Sequence, residues 1–441
     1  MLTSGMTRRK WLVLPIIALA AVTVYFALLR GLLGTASAAQ IELVVLGILA
    51  LLSVVTLLAG LVSLIALTLS KKRDLWRGRL GKQVTFLLLV ITLLGGLIAG
   101  SQVMAHTPAI RGADGKPPAN SIATLEKVNL GGVDQWLIIR GEDVNKPVLL
   151  FLSGGPGASE AARVLRFNRE LEKHFVVVIW EQRGCGKSYP SHYPKADLTL
   201  DQYIADIAEL TNMLRERFDE EKVYLVGHSW GTIIGVHAAQ AHPELFHAYV
   251  GTAQMVDVQE ADQLVYDAVL AESKRRGDTA FVEAMQEQGA PPYLGANPIV
   301  PYSKLFGREY ELYEYPNIQN ETYKRDGDIL LLMLKQPEYG WLDRIYYLLG
   351  LTNTYDAVYP QLQEMDFRQD ATVFDLPVYI ALGRHDMNNP SQIPEAYFEM
   401  IEAPSKELVI FEKSGHGMIW EEADLFHEMM ITSVLPETYQ Q

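Results

Sequence analysis

The sequence predicts an α/β domain, a mostly parallel central sheet with helices on both faces, interrupted by an inserted helical cap and preceded by three membrane-spanning helices. Three observations predict it. From Ile122 onward, short and wholly apolar runs alternate with helical stretches, the pattern of parallel strands buried on both faces. Between Val256 and Asp370 this alternation gives way to helical composition rich in tyrosine. Before residue 105 the chain is mostly Leu, Val, Ile, Ala and Gly.

The N-terminal region holds three apolar runs, about Trp11–Leu33, Ile41–Leu69 and Val84–Met104. Each meets the roughly 20 residues needed to cross a hydrocarbon core. None has the polar face of a helix packed on a soluble core. Charge sets their direction. Arg8, Arg9 and Lys10 precede the first run, and Lys71, Lys72, Arg73, Arg77, Arg79 and Lys82 fill the segment between the second and third. The positive-inside rule puts both in the cytoplasm, so three crossings carry the rest of the chain to the extracytoplasmic side of a cell membrane. Ala36-Ser37-Ala38 resembles a signal-peptidase site, but the run before it is longer than a usual signal, and an uncleaved helix is expected. Cleavage would leave the same final topology. Residues 105–121, with Pro108, Gly112, Gly115, Pro117 and Pro118, form a linker.

The elements of the second part follow in order. Leu125–Leu130 and Gln135–Ile139 flank Gly131-Gly132 as a hairpin. Val148–Leu152, Phe175–Trp180, Val223–Val226, Tyr249–Gly251, Val378–Leu382 and Leu408–Phe411 are the buried strands. Thr199 and Gln202 have the spacing of a capping box and open a helix to about Phe218. The domain is then a core over 122–255 and 371–441 with a cap over 256–370. Most cap tyrosines (Tyr302, Tyr310, Tyr313, Tyr315, Tyr323, Tyr346, Tyr347, Tyr355 and Tyr359) pack its helices, and a few line a pocket.

Charge and composition exclude several functions. The chain is −14 overall, and the part after residue 104 carries 28 bases against 50 acids, near −22. A surface that acidic repels phosphate backbones, so nucleic acid is not a partner. No cluster has metal-ligand spacing and no Gly-x-Gly nucleotide signal is present, so neither a metal nor another cofactor is expected. The single cysteine, Cys185, sits between two glycines in a tight turn with no base implied, and reads as structural.

The chemistry is carried by Gly227-His228-Ser229-Trp230-Gly231, a G-x-S-x-G between an apolar strand and a helical stretch. That setting is a nucleophile elbow, whose small residues allow a sharp turn exposing Ser229. A serine hydroxyl needs an adjacent base. His416, in Ser414-Gly415-His416-Gly417 after the last strand, is that base by chain order, and His228 and His385 are its neighbours. Asp386, ending the run Leu382-Gly383-Arg384-His385-Asp386, is the acid that orients it; Asp366, Asp370 and Asp375 precede the strand. The oxyanion would be held by the N–H of Trp230 and by one from Ser153-Gly154-Gly155-Pro156-Gly157, Gly154 first and Gly155 next.

Residues 153–157, the run Trp180-Glu181-Gln182-Arg183-Gly184-Cys185-Gly186-Lys187-Ser188, the elbow and Gly383-Arg384-His385-Asp386 together resemble the prolyl aminopeptidase (proline iminopeptidase) family of α/β hydrolases, from about Ile122 to the C-terminus. The resemblance implies an α/β-hydrolase fold with a helical cap, release of an N-terminal residue, typically proline, from peptides, and the same triad. This chain departs from the family in three places. Ser153 stands where the family has His, and Glu181 where it has Asp. The cap motif Trp-x-x-Trp-Glu, whose acid helps hold the substrate amine, is missing, with Glu309, Glu311 and Glu314 as candidate replacements. The expected function is a membrane-anchored serine hydrolase of this aminopeptidase type, acting on a small peptide. An esterase, lipase or amidase on small acyl substrates is the first alternative, and a non-catalytic hydrolase-fold receptor the second.

Overall fold

In an apolar solvent a chain must satisfy its own N–H and C=O groups, and long runs of Leu, Val and Ile do so as helices. The computed structural model describes residues 4–112, 114–192, 194–295, 297–312 and 328–439. They fall into two units, Met1–His106 with Met333–Arg344, and Thr107–Leu332 with Ile345–Gln441.

The first unit has three helices long and apolar enough to cross a membrane. Helix α1 (Ser4–Val24) continues through a π turn (Tyr25–Leu29) and a last turn (Arg30–Leu33) to Gly34, whose φ of 73° breaks it. Helices α2 (Thr35–Leu69) and α3 (Arg73–Val103) follow. Both start earlier than their apolar runs. The segments 35–40 and 73–83 contain no proline and hold good helix formers, so the helices extend through them. The basic loop expected over 71–82 shrinks to a short turn, and Arg73, Arg77, Arg79 and Lys82 ride the first turns of α3. Small residues let α1 and α3 touch: a Cβ on Gly96 would come 3.3 Å from Val22, and one on Gly100 would strike the Phe26 ring.

Polar groups gather at one end of these helices. Glu42 is 2% exposed and accepts from Tyr25 Oη (2.9 Å), Arg30 Nε (2.8 Å) and Trp341 Nε1 (2.7 Å). Ser101 Oγ accepts the Trp341 N–H at 2.9 Å, and Gln102 donates to Asp343 at 3.0 Å and accepts from the Leu342 N–H. The segment Met333–Arg344 is thus held on the helices by hydrogen bonds to buried groups.

In the second unit the sheet order is β1-β2-β4-β3-β5-β6-β7-β8, with β1 (Ile122–Leu130), β2 (Val133–Gly141), β3 (Val148–Leu152), β4 (Val176–Glu181), β5 (Val223–His228), β6 (Phe246–Thr252), β7 (Val378–Gly383) and β8 (Lys406–Phe411). The first hairpin and the β2–β4 pair are antiparallel; the rest are parallel. Each expected strand is present. Because β3 to β7 are covered on both faces, their side chains are buried without alternation. Helix α4 (Leu200–Phe218) begins where Thr199 Oγ1 accepts the Gln202 N–H, the expected cap. Helix α5 (Trp230–Ala241) follows β5. Between β6 and β7 lie α6 (Val258–Arg276), α7 (Thr279–Gln288), α8 (Ile299–Leu312) and α9 (Trp341–Val358).

The Glu42 cluster makes a direct prediction. Glu42→Ala strands Arg30 and Trp341 without their acceptor, and removing one partner of a buried ion pair costs about 3–5 kcal/mol. In detergent, trypsin should then cut at Lys335 and Arg344 far faster than in the wild type, read by mass spectrometry. Unchanged cleavage would show that the segment is held by something other than these bonds.

Candidate active site

Parallel strands present their carboxyl ends together, and ligands bind beyond them. Here those ends carry Ser153 after β3, Glu181 at the end of β4, His228 at the end of β5 with Ser229 just after it, Asp386 after β7 and His416 after β8. Ser229 has φ 52° and ψ −121°, a conformation that costs a residue with a Cβ about 1–3 kcal/mol. The surroundings impose it. The Ser229 N–H donates to Thr252 O at 3.0 Å, Thr232 Oγ1 donates to Ser229 O at 2.6 Å, and a Cβ on Gly231 would collide with the Leu152 carbonyl.

A pocket of about 440 Å³ lies over the elbow, lined by Gly154, Gly155, Glu160, Ser229 and His416 from the sheet side and by cap residues including Phe306, Tyr347, Tyr355 and Tyr359. His416 Nδ1 is 3.0 Å from Asp386 Oδ2 and 3.1 Å from Oδ1. Asp386 Oδ1 also accepts the Asn389 N–H at 3.0 Å, while Asn389 Nδ2 donates to Ala253 O. Burial alone would push the His416 imidazole down, but the Asp386 carboxylate, with Glu160 and Glu421 behind it, holds it above its ordinary value. The structure therefore brings together the three residues that the motifs singled out. Trp230 opens α5, where N–H groups have no partner within the helix, and its side chain is fully buried with Nε1 donating to Gln182 at 3.0 Å.

One amide of the expected oxyanion pair already has a partner. The Gly154 N–H already donates to Glu160 Oε2 at 2.8 Å, so this amide is engaged by a carboxylate and is not available to a developing oxyanion. Gly155 lines the same pocket with φ +126°, and a Cβ there would come within 2.7 Å of the Gly157 and Ala158 amides, so only glycine fits.

Of the three cap acids, Glu309 is 3% exposed, and its Oε2 has no hydrogen-bond partner among the described residues. It lies one helical turn beyond Phe306, which lines the pocket. Burial pushes its carboxyl well above the usual range, and the Asp386 charge adds to that. Glu311 points away, exposed and paired with Arg308 at 2.6 Å. Glu314 lies outside the described residues, as do Tyr313, Tyr315 and Tyr323. Tyr302 is a packing residue as expected, but it also donates to the buried Asp262 at 2.6 Å, as Tyr359 does at 2.8 Å.

Motif reading missed the groups that brace the site. Glu160 Oε1 is 2.9 Å from His228 Nδ1, and His228 Nε2 is 2.9 Å from the His416 carbonyl. Gln182 donates to Ser153 O at 3.0 Å while holding Trp230. Glu181, one methylene longer than the family's Asp, accepts from Ser159 Oγ and from the Lys187 N–H. Arg183 forms a fully buried pair with Asp206, both bonds 3.0 Å. The similar run 180–188 could have flagged Glu181, Gln182 and Arg183; for Glu160 no sequence signal existed.

Comparison with known proteins places these features in context. A family model described as the alpha/beta hydrolase fold matches residues 147–423. The chain is 32% identical over 312 residues to the probable aminopeptidase YbaC of Bacillus subtilis, covering 70% of this chain and 96% of that protein. It is 24% identical to a proline iminopeptidase of Saccharolobus solfataricus, covering 66% and 85%. The crystal structure of a proline iminopeptidase from Mycobacterium smegmatis shares the fold with a TM-score of 0.50 at 17% identity, covering 71% of this chain and 99% of that one.

Cys185 is fully buried, and burial first, then Glu181 and Glu160, push its thiol well above the ordinary value. A thiol so placed is not a nucleophile. Ellman's reagent should find no reactive thiol in the native protein and one per chain after denaturation; a fast native reaction would contradict this placement.

Proposed function

Because the chain belongs to the α/β-hydrolase fold family, as a prolyl aminopeptidase-like member, we propose that it is a serine hydrolase that releases N-terminal residues from short peptides and is held at a membrane by its three apolar helices. The observation that carries the reading is the sharing of one pocket by Ser229 on its strained turn and the His416 imidazole, itself paired with Asp386.

The reaction is acyl transfer to water in two steps. Ser229 Oγ attacks the scissile carbonyl while His416 takes its proton at Nε2; Asp386 stays ionised and stabilises the imidazolium. Negative charge developing on the carbonyl oxygen is met by the N–H groups of Trp230 and Gly155. His416 then protonates the departing amine, and afterwards activates the water that releases the acyl group. The free amine of the substrate is held by Glu309. An ammonium entering beside this carboxyl supplies the partner that its Oε2 lacks among the described residues. Lys and Arg placement around the N-terminal helices supports a cytoplasmic N-terminus and an extracytoplasmic catalytic domain.

Four outcomes test this reading. Ser229→Ala should reduce turnover to background, and retained activity would remove Ser229 from the mechanism. A base must be neutral to act, so kcat/KM should fall as pH drops through the raised His416 value, giving an acid limb above that of a free imidazole. A free-amine proline anilide should be cleaved in preference to its N-acylated form, and Glu309→Gln should cut that preference about 10–100-fold, the worth of a charged hydrogen bond of roughly 1.5–3 kcal/mol. A short-chain ester turned over with no benefit from a free amine would point to an esterase instead. For the topology, protease added to intact cells should remove the activity, whereas full protection would place the domain inside.

A further inference from the structure

Glu160 stands at a junction of three loops. It is 6% exposed, and its two oxygens face different segments. Oε2 accepts the Gly154 N–H, in the turn after β3. Oε1 meets His228 Nδ1, on the elbow, at 2.9 Å. His228 is 1% exposed, and its Nε2 lies 2.9 Å from the carbonyl of His416. A carbonyl only accepts, so Nε2 carries a proton. The 2.9 Å approach of Nδ1 to the carboxylate is an ion-pair contact without an aligned hydrogen bond, favourable when the ring is charged. The His228 ring also packs against those of His416 and Trp420, with centroids 5.1 and 4.6 Å apart. The catalytic proposal uses neither Glu160 nor His228. A carboxylate and an imidazole this deeply buried are costly unless each holds the other.

We propose that Glu160 and His228 form a second acid–imidazole pair, one that does not react but positions the oxyanion turn and the His416 loop against Ser229. The inference rests on the serine-hydrolase reading above. Glu160 draws Gly154 inward through its amide, which leaves the next amide, that of Gly155, as the one offered to the pocket. His228 fixes the main chain of His416 from below while Asp386 fixes its ring from the side. His416 is faced by Asp386 from the loop after β7, by Glu160 from the segment just after the oxyanion turn, by Glu421 from the helical turn that follows it, and by His228 from the elbow. Removing the Glu160 charge therefore also takes away one of the groups that hold the His416 proton.

The test uses the full-length chain in detergent, a fluorophosphonate probe that labels an activated serine, and the proline anilide. For Glu160→Gln, labelling and kcat should fall about 10–100-fold with KM little changed, and the acid limb should move to lower pH. His228→Gln, which keeps an N–H for the His416 carbonyl, should retain more activity than His228→Ala; this pair reads the same device if Glu160→Gln does not fold. A folded Glu160→Gln protein with wild-type labelling and an unmoved acid limb would overturn the proposal, as would equal losses in the two His228 variants. Wild-type protein that the probe fails to label at Ser229 would instead overturn the serine-hydrolase reading, and this inference with it.

Discussion

The site depends on one close approach: the backbone of Gly231 lies against the carbonyl of Leu152 at the end of β3. No side chain fits between them. That contact lets α5 begin directly over the sheet, forces Ser229 to φ 52°, and sets Trp230 at the first turn of the helix. Gly227, on the other side, meets the Gly231 carbonyl in the same way. The strain at Ser229 persists because the surrounding backbone is over-determined. Strand β5 pairs with β3 on one side and β6 on the other, and the Ser229 N–H itself is bonded to Thr252 at the end of β6.

Around this turn the loops are braced by buried side chains, each joining two or more segments. Gln182 joins Ser153 to Trp230, Glu181 joins Ser159 to Lys187, and Arg183 with Asp206 ties the same run to the Leu130 and Gly131 carbonyls. Such groups are worth little as isolated bonds, but leaving any one unsatisfied in a dry interior costs about 1–3 kcal/mol. They therefore act on the precision of the loops more than on stability. The exchange of Asp for Glu at 181 fits this picture: the longer side chain still finds two donors.

How much of this could be read from sequence follows from the range of each interaction. The strands, the hairpin at Gly131-Gly132 and the Thr199 cap rest on neighbours a few residues apart, and all were legible. Ser229, Asp386 and His416 are far apart in sequence, yet each lies at or just beyond the end of a strand, so the elbow motif and chain order together singled them out as the proposed triad. The engagement of the Gly154 amide was not legible, because the carboxylate that accepts it comes from Glu160, six residues on and in no recognised pattern. The burial of Glu309 and the exposure of Glu311 were not legible because the two differ only in which way one helix faces. The extent of α2 and α3 was underestimated because apolarity marks where a helix can meet lipid, not where its hydrogen bonds stop.

Electrostatics connects the site to the proposed substrate. The hydrolase unit holds several buried carboxylates, and they differ in what balances them. Asp386 has His416 and the Asn389 amide; Glu160 has His228, the Gly154 amide and Arg163, which together outweigh its burial and keep it ionised. Asp262, pushed up to about 7 chiefly by burial, is still served by two tyrosine hydroxyls. Glu309 alone among these lacks a donor at one oxygen among the described residues. A buried acid without a counter-charge stays protonated, at a cost in stability that nothing in packing requires, since Leu or Met would fill the same space. Its presence makes sense when a cation arrives from outside. An N-terminal ammonium supplies that charge; an ester or N-acylated amide does not. Under the proposed function, this imbalance at Glu309 is what would favour a free amine over an ester or an N-acylated amide.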